Sequence, residues 1–354
     1  MTTRKSLLVG SMPFSDEQEA MTFAITHLGD SLLALPDGEI GEKTEQYPNG
    51  KRSAWVMTAI NLCAEDTANW EVVKDVVRGT DGFPVDYNSV QKLRPKHSPA
   101  TMHKYLKFGY DDYFKESYAT FTALKQEKGL DDLAFQVGVP TGLGIAFSMM
   151  SPINALRYTD AFNKQVAYEV NEILKVARDD VVIQIEVPGE LAFAYKLPNF
   201  MVNIALWSIF NLVKKINPPA RIGFHLCLGD LNNEALTHAK TLDKMVHFSN
   251  TLVDRWSPEH ELAYMHYPLA EAIDPPPMDA SFYEALKHIR LPENTRFVAG
   301  FVHEKRSDAE LIQIRDMIET IRQHPVDVAC SCGLGRRPRA VAESVIKTTV
   351  ELTT

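Results

Sequence analysis

Eight apolar runs of strand length recur along this chain of 354 residues, and stretches with helical periodicity fall between them. The runs are 6–10, 31–36, 133–139, 181–187, 221–226, 262–266, 296–302 and 326–330. They read as continuous Val, Ile, Leu, Phe and Ala rather than as an apolar–polar alternation, the pattern of strands buried on both faces. Amphipathic stretches follow at 15–28, 152–178, 200–216, 239–255, 279–289, 307–323 and 338–349. The first of these is expected to start at a serine cap, Ser15, with Asp16 and Glu17 in its first turn. Strand and helix alternating eight times close naturally into an α/β (β/α)8 TIM barrel; a doubly wound open sheet is the rival arrangement.

One connection is long. About ninety residues separate the second run from the third. Segments 53–77 and 111–128 read as helices, and 79–104, rich in Pro, Gly, Asn and Lys, reads as a surface excursion. The expectation is a single domain, 1–354, with a long helical insertion after strand 2 at approximately 40–132. Segment 273–278 carries three consecutive prolines, Pro275 to Pro277, and predicts a stiff extended turn.

The balance of 46 acidic and 37 basic residues, net charge −9, argues against a nucleic-acid surface. The densest basic cluster, Arg336, Arg337 and Arg339, reads as a solvated face. The start is basic, but its apolar stretch is too short for a signal peptide, and no window has the length to span a bilayer. The expectation is a cytoplasmic protein without membrane partners. The four cysteines, Cys63, Cys227, Cys330 and Cys332, are too few for a disulfide scaffold and read as buried thiols or metal ligands.

In a barrel of this kind reactive side chains project from the C-terminal ends of the strands. Ser11, Glu39, Thr141, Glu186, His225, Cys227, His266, His303 and Cys332 fall there. Histidine and cysteine from separate strand ends can converge on one zinc ion, which accepts imidazole and thiolate in a tetrahedral shell. Each residue also has a plainer reading. Ser11 can cap a turn, Glu39 lies in an ordinary Asp-Gly-Glu turn, Cys227 and Cys330 can be small buried hydrophobes, and His303 can be a hydrogen-bonded core histidine. Glu186, inside an apolar run, needs a partner to be buried there.

Several short segments resemble the catalytic C-terminal barrel of cobalamin-independent methionine synthase, within the wider group that includes uroporphyrinogen decarboxylase. Gly10-Ser11-Met12-Pro13 is similar to the family's opening Gly-Ser-Phe-Pro, and Gly38-Glu39 to its Gly-Glu segment. Val139-Pro140-Thr141-Gly142 loosely resembles its Thr-Gly-Pro turn, and Ile183-Gln184-Ile185-Glu186-Val187-Pro188 its Ile-Gln-Ile-Asp-Glu-Pro. His225-Leu226-Cys227, Gly300-Phe301-Val302-His303 and Cys332-Gly333-Leu334 resemble the zinc His-x-Cys, the histidine-ended strand and the Cys-Gly-Leu of the family.

The resemblance implies zinc as cofactor, held by His225, Cys227 and Cys332. His266 stands where the family's glutamate ligand falls. It implies a small-molecule thiol and an alkyl donor or electrophile as partners, with Ser11, Glu39 and Glu186 gripping the substrate and His303 protonating the leaving group. Glu186 for aspartate, Val187 for glutamate and His266 for glutamate depart from the pattern. Swapping a carboxylate for imidazole makes the site one unit more positive, which points away from methionine synthase itself and toward another zinc-dependent alkyl-thiol transferase of the group. A metal-free lyase or decarboxylase using the histidines and Glu186 as acid and base stays open, as does a non-catalytic barrel that binds a small molecule.

Overall fold

In the computed structural model, residues 3–271 and 273–353 are described. Ten strands occur among them: β1 (Ser6–Leu7), β2 (Ala34–Pro36), β3 (Trp70–Lys74), β4 (Lys92–Pro95), β5 (Ala134–Pro140), β6 (Val181–Glu186), β7 (Arg221–His225), β8 (Glu261–Pro268), β9 (Arg296–Val302) and β10 (Asp327–Cys330). Eight of them form one parallel sheet in the order β1-β10-β9-β8-β7-β6-β5-β2. A parallel bridge between Ser6 and Leu32 joins its two ends. The chain is therefore an α/β (β/α)8 TIM barrel, and each of the eight apolar runs supplies one barrel strand.

The helices are α1 (Glu17–Leu28), α2 (Trp55–Glu65), α3 (Tyr110–Lys128), α4 (Gly142–Met149), α5 (Pro152–Ala177), α6 (Pro188–Lys196), α7 (Val202–Val213), α8 (Asp243–Val253), α9 (Asp308–Arg322) and α10 (Arg339–Thr353). None among the described residues is long and apolar enough to cross a membrane. The cap of α1 is Asp16, not Ser15: the Asp16 carboxylate accepts the Glu19 amide at 2.8 Å, while Glu19 reaches back to the Ser15 amide. Segment 280–288 is a 3-10 helix rather than an α-helix. Helices α4 and α6 carry no sequence forecast, because an apolar stretch such as Gly142 to Met149 has no polar face to mark a helical period.

The connection after β2 departs most from expectation. Helix α2 ends at Glu65 rather than continuing to 77, because Asp66 and Asn69 close a turn there. The β-branched Val72 and Val73 then lie in β3, which pairs antiparallel with β4. Helix α3 packs against α1 and α5, where a ring helix between β2 and β5 belongs. Both carboxylate oxygens of Glu169 on α5 accept backbone amides at its start, Phe108 at 2.7 Å and Tyr110 at 2.8 Å, and tie the excursion to the ring.

Inside the barrel Leu7, Ala34, Ala134, Val182, Tyr264, Val298 and Ala329 pack as one layer. Tyr264 fits because position 223 is glycine: a Cβ there would lie 2.2 Å from its ring. The Tyr264 hydroxyl meets the side-chain oxygens of Gln184 at 3.0 Å and Gln136 at 3.3 Å. The Gln184 amide donates to the Val9 carbonyl at 2.7 Å and to Glu186 Oε1 at 3.0 Å. Above the apolar layer the barrel axis is thus polar and fully partnered, and it fixes Glu186 from below.

Thr141 caps α4 through the Gly144 amide at 3.1 Å and donates its hydroxyl to Glu190, in the first turn of α6. Burial pushes the Glu190 carboxyl up to about 7. A raised carboxyl pKa gives stability that is whole below the ordinary carboxylate range and lost as pH rises through about 7. Thermal unfolding of Glu190→Gln, whose neutral amide mimics the protonated acid, is expected to match the wild type at low pH and to exceed it above neutrality. A Tm difference that does not change with pH would refute this assignment.

Candidate metal centre and cavity

Parallel register places the site. Glu186 at the end of β6 pairs with His225 at the end of β7, and His225 pairs with His266 on β8, so three polar residues stand at one level of the rim. The chain leaves β7 with Leu226 still bonded to the His266 carbonyl, and Cys227 follows; its thiol accepts the Gly229 amide at 3.3 Å. Cys332 lies two residues beyond β10, across the barrel mouth.

These segments converge. His225 Nε2 lies 3.7 Å from Cys332 Sγ, and Cys332 Sγ lies 3.9 Å from Cys227 Sγ. One donor atom from each residue falls within 4.8 Å of the other two, a group able to hold a metal ion. Tetrahedral zinc with ordinary bond lengths would set S···S at about 3.8 Å and N···S at about 3.6 Å. The donor chemistry and the spacing both fit zinc. Three protein donors leave a fourth corner, and all three line the same cavity of about 410 Å³.

His266 stands beside this group rather than in it. Its Nδ1 meets His225 Nδ1 at 2.8 Å, and its Nε2 meets the Cys330 carbonyl at 2.8 Å. Both ring nitrogens are therefore engaged. Position 300 is glycine because a Cβ there would come within 2.5 Å of His266 Nε2. Burial holds the His266 ring neutral, with its pKa lowered to about 4. Burial and the neighbouring His266 take His225 well below its ordinary value. The thiol of Cys332 is pushed up by its contact with Cys227 and by burial. Cys330 is a packed thiol whose pKa burial raises to about 12.

The other rim residues divide. Ser11, Glu39 and Glu186 line the cavity; Thr141 and His303 do not. Ser11 Oγ accepts the Gly335 amide at 3.3 Å. Glu39 has a left-handed backbone (φ 51°), held by Asp37, which accepts its amide at 2.9 Å and is itself bound by Arg52 and Ser117. A Cβ on Gly138 would lie 2.9 Å from Glu186 Oε1 and 3.2 Å from Glu39 Oε1, so both carboxyl groups crowd one point. Burial, then Glu186, raises the Glu39 carboxyl well above its usual range. His303 is buried, and its Nδ1 accepts the Lys305 amide at 3.1 Å.

Several wall residues had no forecast. Phe147 of α4 and Phe193 of α6 meet edge to face at 4.9 Å and, with Val56, Met57, Val90 and Leu236, make the outer wall apolar. Tyr87 and Lys92 come from the excursion after β2. The excursion is latched over the β7–α8 loop: Leu231 donates its amide to the Tyr87 hydroxyl at 3.1 Å, and Asn232 donates to the Pro84 and Val85 carbonyls at 2.8 Å each. Its unusual length was the available signal. The arginine cluster is not one solvated face either: Arg337 is buried on Glu304, Arg336 lines the cavity, and only Arg339 is exposed.

Neither a protein-family model nor a curated protein sequence matches the chain. Among solved structures, a B12-independent methionine synthase from Shewanella sp. W3-18-1, in complex with selenomethionine, is similar with a TM-score of 0.59 at 11% identity. The match covers 99% of this chain and 97% of that one. A Listeria monocytogenes structure, provisionally described as a vitamin-B12 independent methionine synthase, matches 62% of this chain and 63% of its own at 11% identity, with a TM-score of 0.37. The first of these likenesses establishes that the chain has a methionine synthase-like fold.

Proposed function

We propose that this chain is a zinc-dependent transferase that presents a substrate thiol, as thiolate, for alkyl transfer or for addition to an electrophile. The observation that carries the reading is the pair of contacts made by His266, to the Cys330 carbonyl and to His225 Nδ1, from which the tautomer of His225 follows. A backbone carbonyl only accepts, so His266 must carry its proton on Nε2 toward Cys330. The neutral His266 ring then offers a lone pair at Nδ1, and His225 must donate to it from its own Nδ1. The lone pair of His225 is left on Nε2, the atom that faces Cys332. The hydrogen-bond chain thus prepares His225 as a metal ligand, in the way that outer partners fix ligating histidines.

His225, Cys227 and Cys332 would hold the ion, and His266 would orient His225. Bound there, zinc would supply the Lewis acidity that keeps a coordinated thiol deprotonated at neutral pH. The chain's own groups do the rest. Glu39 and Glu186 are crowded together beside the cluster, and with the Glu39 carboxyl raised by burial and by Glu186, a cationic group on either substrate would favour its ionisation. Ser11 holds the Gly335 amide, and thereby the loop that follows Cys332, against the cavity floor. The apolar wall of Phe147, Phe193 and Met57 excludes water from the approaching electrophile. With His303 off the cavity wall, neither leaving-group protonation nor a metal-free acid–base reaction is assigned to it.

Two measurements test this reading. Long-range proton–nitrogen correlation spectra of the metal-free protein at pH 6 are expected to give His266 as the Nε2–H form and His225 as the Nδ1–H form, both neutral; a charged ring on either would break the argument. Metal analysis is expected to find about one zinc per chain. Cys227→Ser and Cys332→Ser should lose the ion, while His266→Leu, keeping all three donors, should bind it about 10- to 100-fold more weakly in chelator competition. Absence of zinc, together with full activity of both serine variants, would remove the proposal.

A further inference from the structure

The loop after Cys332 carries three arginines that are used differently. Arg337 donates from Nε to Glu304 at 2.9 Å. Arg339 grips Glu19 at 2.7 and 3.1 Å and Glu343 at 2.8 Å. The Arg336 side chain has one polar contact among the described residues, Nη1 to Asp230 Oδ2 at 3.4 Å, which is long for a charged pair. Asp230 Oδ1 is buried without a partner, so this pair does not satisfy either side. The Arg336 side chain is only 23% exposed, and it lines the cavity with Ser11, Glu39, Tyr87, Cys227 and Cys332.

A guanidinium has five N–H donors in a planar fork. Keeping it half-desolvated beside an apolar wall is costly unless an anion completes its shell. Arg336 follows Cys332 by four residues, and its partner Asp230 follows Cys227 by three, so each belongs to a loop that carries one cysteine of the cluster. Burial works against the charged form of Arg336, and Asp230 is the first of the groups that favour it. A group docked on this fork would therefore be held by the loops that carry the cluster's two cysteines, in the cavity that those cysteines line, and is assigned to the molecule bound through sulfur.

We propose that Arg336 is a specificity-determining residue that takes the carboxylate of a short mercapto acid, which makes the thiol substrate of this site an anionic one. This rests on the thiol-activating reading above. Calorimetry on the zinc-loaded protein, with 3-mercaptopropionate and 2-mercaptoethanol as probes, separates the two claims. The wild type is expected to bind the acid about ten- to a hundredfold more tightly than the neutral thiol, the range of a charge-assisted pair. Arg336→Gln should bring that ratio near one while zinc content and 2-mercaptoethanol binding stay as in the wild type. Arg336→Lys, which keeps the charge without the fork, should give a ratio between the two and serves if the glutamine variant does not fold. Equal binding of both thiols by the wild type, or an unchanged ratio in the variants, overturns the role of Arg336 alone. Failure of both thiols to bind the zinc-loaded wild type overturns the thiol-activating reading and this proposal with it.

Discussion

Parallel backbone pairing in fixed register across β6, β7 and β8 is the constraint on which the rest of the site depends. It brings Glu186, His225 and His266 to one level at the C-terminal rim. Side chains alternate along a strand, so a slip of one residue would turn each of them to the opposite face. The register is held by runs buried on both sides, and the polar layer of Gln136, Gln184 and Tyr264 locks it again from inside the barrel. A stable core and a defined rim are here the same fact.

Burial sets the chemistry at that rim. Both histidines are kept neutral by desolvation, the state in which imidazole is a ligand. The two carboxyl groups of Glu39 and Glu186 cannot both ionise cheaply at such close quarters. At the cluster Cys227 is buried and Cys332 half-buried, and contact with Cys227 and burial raise the Cys332 thiol. Much of the remaining cavity wall is apolar and built largely from segments after β2, β5 and β6, so the cavity is polar at the cluster and apolar elsewhere along its wall.

Legibility followed physics closely. Strands buried on both faces leave unbroken apolar runs, and 296–302 was readable to the residue. Helix α4, wrapped in apolar neighbours, has no polar face and left no period to read. The turn at Asp66 to Asn69 broke a helix whose composition continued past it. Arg336, Arg337 and Arg339 look alike as a charge run, yet one lines the cavity, one is buried on Glu304 and one lies at the surface, because only the folded loop decides which acid each can reach.

Sequence alone determined the barrel and the inventory at its rim: residue type, strand-end position and the His-x-Cys and Cys-Gly spacings are local properties. Tertiary structure decided which of those residues meet. It put Cys332 beside Cys227 across 105 positions of chain, took His303 off the cavity wall and gave both nitrogens of His266 to neighbours. His225, whose Nε2 faces Cys332, and His266, whose two ring nitrogens are both taken by neighbours, are the same letter in a sequence. The difference is the position of a single backbone carbonyl, that of Cys330, which belongs to a strand 64 residues away.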